Sequence, residues 1–217
     1  MTTPRDLLIV AMDAESGHAL ERGDLSLALA GAELIDLLSA EAVRLDGERI
    51  VPGYRPMLPD RLLDQAASSL VQQAPYESVD DWLWRRGHGL AEAYMSALED
   101  DGELTREHRR WRPFGAGETV LADSPARRRA VDRWASREAV LTALAAAARI
   151  DGTGTGTGTG IGTGTGVGTG DESAAVDDAV STVLAAVHDA VTELEAERQR
   201  RAIEKAAFDN IWRGDGN

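Results

Sequence analysis

Nine arginines crowd residues 106–137: Arg106, Arg109, Arg110, Arg112, Arg127, Arg128, Arg129, Arg133 and Arg137. Only Glu107, Glu118, Asp123 and Asp132 oppose them, so this segment carries +5 while the rest of the chain carries −19. Arg129, Arg133 and Arg137 recur at i, i+4 and i+8, so they are expected to share one helix face. Arg127, Arg128 and Arg129 fall in the first turn of a helix announced by Asp123-Ser124-Pro125, a cap residue followed by proline. Unpaired backbone N–H groups and the helix dipole favour an anion at such a start. Guanidinium groups bind phosphate through two parallel hydrogen bonds. Two readings stay open. Arg127, Arg128, Arg129 and Arg133 form a site for an anionic head group, or they form a solvated face paired with acids elsewhere on the chain.

Other chemistry finds little support. Residues 152–170 read GTGTGTGTGIGTGTGVGTG and hold ten of the 22 glycines. A strict alternation never separates two glycines by an odd number, so neither the dinucleotide fingerprint nor the phosphate-loop spacing is met. The tract reads as a flexible linker between two helices. His18, His88, His108 and His188 form no metal-type pair. There is no G-x-S-x-G elbow, no calcium-loop pattern around Glu99–Glu103 and no cysteine. The expectation is a protein without catalytic residues, metal or cofactor.

The elements that must position the arginines are mostly helical. RDLLIVAM at 5–12 is a helix or a short strand. Asp24 is a candidate cap for a helix carrying Leu27, Gly31, Leu34, Ile35 and Leu38 at helical spacing. Gly31 costs that helix about 1 kcal/mol against alanine, which points to close packing on another element. Asp46-Gly47 turns a hairpin within 42–51. Helices follow near 60–73, 78–86 (capped by Ser78) and 89–100. A second hairpin uses Leu104, Thr105, Trp111 and Phe114, a turn at 115–117, and Thr119 to Leu121. The helix after Ser124 is expected to reach about Ile150. A last helix over 173–208 buries the face of Val176, Val180, Val183, Val187, Val191 and Leu194. Its EAERQRRAIEK stretch, with Arg198, Arg200 and Arg201, reads as solvent-exposed. The fold class is therefore mainly α, with two short β-hairpins. Residues 1–151 and 171–213 make one domain.

Charge narrows the partners. With 37 acidic against 23 basic residues the net charge is −14. Such a field repels nucleic acid, which disfavours a winged-helix reading of the two helix–hairpin units. Twenty-two of the 23 basic residues are arginine, a bias that GC-rich codon usage produces and that is discounted as evidence of function. No apolar run reaches the roughly 20 residues that span a bilayer. The N-terminal apolar stretch is short and meets Asp13 and Glu15 at once, so a cytoplasmic location is expected.

The opening LLIVAMDAESG, the segment LALAGAELIDLLSAEAVRL with its hairpin, ALEDDGELT, and ADSPARRRAVDRWASREAVLTAL occur in this order. Together they resemble a bacterial-type member of the Golgi phosphoprotein 3 family over roughly residues 4–150. The last helix is similar to the family's closing helix. The resemblance implies a helical bundle wrapped by amphipathic helices. It implies peripheral attachment to membranes from the cytosol through phosphatidylinositol 4-phosphate. Eukaryotic members also hold the cytosolic tails of Golgi glycosyltransferases. Their lipid site has a tryptophan and an arginine flanking the start of the helix that here contains Gly31. This chain has Ala30 there and no tryptophan before Trp82. The basic half of the site is implied at Arg128, Arg129 and Arg133. The partner expected is an anionic phospholipid head group or membrane surface, with charge outweighing inositol stereochemistry. A protein partner and a homo-oligomer stay open, and the alternative is a protein-interaction scaffold that has lost lipid binding.

Overall fold

The computed structural model describes residues 2–14, 21–107, 118–150 and 170–214. The turn residues of the second hairpin, His18, His108 and all but the last residue of the Gly/Thr tract lie outside them. Among the described residues the order is α1 (Thr3–Asp13), α2 (Arg22–Ser39), β1 (Val43–Asp46), β2 (Arg49–Pro52), α3 (Arg61–Ser68), α4 (Val79–Gly87), α5 (Leu90–Asp100), β3 (Leu104–Glu107), β4 (Glu118–Leu121), α6 (Pro125–Ala135), α7 (Ala139–Ala147) and α8 (Gly170–Gly214). The fold is mainly α, with two two-stranded antiparallel sheets. None of the described helices is long and apolar enough to cross a membrane.

The centre is α2. Fourteen of its residues are buried, from Asp24 to Leu38, and α1, α3, α4, α5, α7 and α8 all pack on it. A helix apolar on nearly every side belongs inside a bundle. The run Leu7-Leu8-Ile9-Val10 behaves likewise, so α1 is a buried helix and not a strand. The first hairpin forms, but its turn is one residue later than expected: Asp46 pairs with Arg49, so the two turn residues are Gly47-Glu48 and not Asp46-Gly47, and Gly47 supplies the positive φ at the first of them. The segment before α4 extends that sheet, because Ile50 N–H donates to Glu77 and Val79 N–H to Glu48.

Local signals explain most helix starts. Asp60 caps α3 by accepting from the Leu62 and Leu63 N–H groups at 2.9 and 3.0 Å. The Ser78 hydroxyl accepts the Asp81 N–H at 3.1 Å. Two expectations fail. Asp24 does not cap α2, which begins two residues earlier after Glu21; its carboxylate turns to Arg198 instead. The helix after Ser124 does not reach Ile150 unbroken. Arg137 adopts a left-handed φ of 55°, and Glu138 N–H donates back to the Arg133 carbonyl. Glu138 then caps α7, accepting from the Val140 and Leu141 N–H groups. Arg137 thus leaves the face it was expected to share with Arg129 and Arg133. The same stop recurs at Glu41 after α2 and Arg149 after α7.

The α2–α8 crossing is close at Gly31. A Cβ on Gly31 would stand 2.3 Å from the Val187 Cγ2 atom. Val183, Val187, Ala190 and Val191 bury the matching face of α8. Gly31→Ala therefore sets a gain in helix propensity of about 1 kcal/mol against overpacking of roughly 1–3 kcal/mol. A net loss of stability is expected in urea unfolding. A stabilised variant would show that α8 yields at this crossing.

Candidate functional site

The start of α6 forms as the sequence suggests. The Ser124 hydroxyl accepts the Arg127 N–H at 3.1 Å, and Pro125 occupies the first turn. The four arginines then separate into two pairs. Arg127 and Arg133 face inward, onto α1. The Arg127 guanidinium donates to the Asp13 carboxylate. The Arg133 guanidinium donates to Asp6 with one nitrogen and, at 3.0 Å, to Glu138 with the other. Arg133 therefore ties α6 to α1 and to the residue that caps α7.

Arg128 and Arg129 are placed differently. The Arg128 side chain is 65% exposed and, among the described residues, pairs with Asp123, itself 77% exposed, at 3.1 and 3.3 Å. An ion pair so open to water contributes little and exchanges readily. Arg129 lines a cavity of about 620 Å³. Its walls come from the starts of α1, α3 and α6 and the end of α5. Two arginines that sequence reasoning did not single out, Arg5 and Arg61, join Arg129 there. Arg5 donates to Asp60 and to Asp101, both at 2.5 Å. No local motif announces Arg5 or Arg61; only the packing of three helix ends brings them to Arg129.

Arg198 differs from the expected exposed tail. It is 28% exposed and lies 2.8 Å from Asp24, whose side chain is 2% exposed. Arg200 and Arg201 keep the expected position, paired along the helix with Glu197. Among the described residues no three histidine, cysteine or acidic side chains gather to hold a metal ion.

Burial governs the acids beneath the arginines. Desolvation holds the Asp6 carboxyl above the ordinary carboxylate range, although Arg133 pulls the other way. Asp24, Glu33 and Asp36 are raised for the same first reason, offset in part by the Arg198 charge beside Asp24, by hydrogen bonds from Arg86 and Tyr94 to Glu33, and by the Thr3 N–H at Asp36. A carboxyl raised in the folded state binds protons on folding. Its contribution to stability therefore grows as pH falls through the raised value, and is complete below the ordinary carboxylate range.

The melting temperature is accordingly expected to rise, not fall, on acidification from neutral pH towards about 5. Asp36→Asn, which keeps an acceptor for the Thr3 N–H at 2.8 Å, should flatten that rise. An unchanged slope in this variant would assign the effect to overall charge. Arg133→Ala strands the buried Asp6. It should cost about 2–3 kcal/mol in urea unfolding, at or below the low end for a broken buried pair because Arg133 is one-third exposed. Arg128→Ala should leave stability unchanged. Equal effects from the two would contradict the inward and outward assignment.

The family described as Golgi phosphoprotein 3 (GPP34) matches residues 4–207, from the second residue of α1 through all of α2 to α7 and most of α8. No curated protein matches the chain. The match spans nearly the whole sequence, so the chain belongs to the Golgi phosphoprotein 3 family.

Proposed function

We propose that this chain is a non-enzymatic, cytoplasmic peripheral membrane protein that binds anionic lipid head groups. It is of the phosphatidylinositol 4-phosphate-binding type, with charge rather than inositol stereochemistry setting the preference. The observation that carries this reading is the open Arg128–Asp123 pair at the start of α6, beside the cavity lined by Arg129. A phosphate displaces an exposed carboxylate from a guanidinium at small cost. Ala30 is fully buried and its carbonyl accepts the Trp82 indole N–H at 3.1 Å, so the position is packed and offers no cation. Membership of the Golgi phosphoprotein 3 family supports the same reading.

A second reading has its own observation. Arg127 and Arg133, half of the expected site, are engaged by Asp13, Asp6 and Glu138. That favours a protein-interaction scaffold of the same fold that does not bind lipid.

Co-sedimentation with phosphatidylcholine vesicles distinguishes the two. Vesicles containing phosphatidylglycerol, cardiolipin or phosphatidylinositol 4-phosphate should bind comparably, and phosphatidylcholine alone should not. Replacing Arg128 and Arg129 together by alanine should weaken binding about thirtyfold at low salt. The loss should shrink in high salt, where the attraction is screened. Replacing Arg200 and Arg201 makes the same charge change on α8 and should alter binding little. Equal losses from both pairs would remove the site assignment. Preference for phosphatidylinositol 4-phosphate alone would overturn the ranking of charge over stereochemistry. Absence of binding to every vesicle would favour the scaffold.

A further inference from the structure

We propose that residues 53–59, between β2 and α3, form an apolar wedge that enters the interfacial layer of an anionic bilayer, an inference that rests on the lipid-binding reading above. The segment reads Gly-Tyr-Arg-Pro-Met-Leu-Pro and holds no acidic residue, in a chain of net charge −14. Met57 is fully exposed and Tyr54 is 79% exposed, more than any other large hydrophobic side chain among the described residues. A single exposed apolar residue is ordinary. These two share one short loop that is fastened from beneath. The Gly53 N–H donates to the Ala42 carbonyl at 2.8 Å, and a Cβ on Gly53 would stand 2.6 Å from the Glu41 carbonyl oxygen. Arg55 donates to the Ser68 hydroxyl at 2.6 Å. Leu58 packs on the core, and Asp60 just beyond is tied to Arg5. Tyr54 and Met57 are thus held outward by a loop whose base is fixed.

The chemistry of the loop suits a lipid interface. Pro52, Pro56 and Pro59 carry no N–H, so fewer backbone donors lose water when the loop enters an apolar layer. A loop already fixed by prolines and anchors loses little conformational freedom on insertion. Tyrosine can bury its ring while its hydroxyl stays among the head groups. Arg55 and Arg61 flank the apolar pair, both mostly exposed, and their partners Asp64 and Asp100 stand at 3.5 and 3.8 Å. Ion pairs so long and open yield to lipid phosphates at small cost. Pro59 and Arg61 line the same cavity as Arg129, so the loop adjoins the start of α6, where lipid binding is proposed. A second protein chain fits less well. Two side chains of about 200 Å² each fall far below the roughly 800 Å² per partner of a stable protein interface.

The chain has no cysteine, so Met57→Cys gives one site for an environment-sensitive nitrobenzoxadiazole label on the full chain. With vesicles of phosphatidylglycerol in phosphatidylcholine, its emission should shift to the blue and be quenched by lipids carrying a nitroxide on the acyl chain. The same label at Ile203→Cys, exposed on α8, should do neither. Replacing Tyr54 and Met57 together by serine should weaken sedimentation with these vesicles about thirtyfold. The binding that remains should stay salt-sensitive, because the arginines are untouched. The melting temperature of the free chain should hold, since neither side chain is covered. An unshifted Met57 label on a chain that sediments would overturn insertion and leave lipid binding through Arg128 standing. Unchanged sedimentation of the double variant would overturn it as well. Absence of sedimentation with every vesicle would remove both readings. A dimer in sedimentation equilibrium that the double variant loses would assign the loop to self-association and overturn the wedge.

Discussion

A helix surrounded on every side can carry a charge only where a neighbour answers it. On α2 three carboxylates are so answered, each by a different element. Asp24 meets Arg198 of α8 at 2.8 Å. Glu33, wholly buried, receives two hydrogen bonds from Arg86 of α4 at 2.7 and 2.8 Å, and one from the Tyr94 hydroxyl of α5 at 2.9 Å. Asp36 accepts the Thr3 N–H at the start of α1. Asp6 repeats the arrangement one layer out, through Arg133 of α6. Burial pushes all four carboxyls upward, so their solvation is only partly replaced. A hydrophobic core could be as stable without them. What they add is register: an outer helix that slid by a turn would leave a carboxylate buried and unpaired.

The same arrangement decides which arginines can serve a ligand. Acids outnumber bases 37 to 23, so guanidiniums are the scarcer partner. Arg5, Arg86, Arg127, Arg133 and Arg198 are spent inside the fold, where each meets a carboxylate of another element. An arginine cluster counted in the sequence therefore overstates the charge shown to a partner. At the start of α6 two of four candidates turn inward. The cost of stranding Asp6 is what keeps Arg133 there.

The elements were legible because their signals are local. Apolar spacing, the caps Ser78 and Ser124, and the turn glycine Gly47 each act within a few residues, and they place α2, α4, α5, α6 and the first hairpin, whose turn pair is Gly47-Glu48. Gly31 was legible too, since a helix-interior glycine implies a close neighbour, and Val187 is that neighbour. The α6–α7 break was not, because its left-handed residue is an arginine where a glycine would have announced the stop. The partners of the arginines were illegible for a different reason. Asp6 and Arg133 stand 127 positions apart, and no spacing rule reaches that far. Arg198 reads as tail when α8 is taken alone, yet α2 presents Asp24 to it. The cavity beside Arg129 is likewise a product of packed helix ends, visible only after folding.

An anionic chain can still meet an anionic surface, provided its charges are separated. At physiological ionic strength interactions fade over about 8 Å, so a membrane senses the nearest side chains and not the net charge of −14. The long-range field still acts at low salt, where it opposes approach and turns the most positive face towards the surface. Arg128 and Arg129 on α6 supply such a face in the proposed orientation. Acids elsewhere then disfavour every other orientation, so the charge that weakens binding overall also selects the pose.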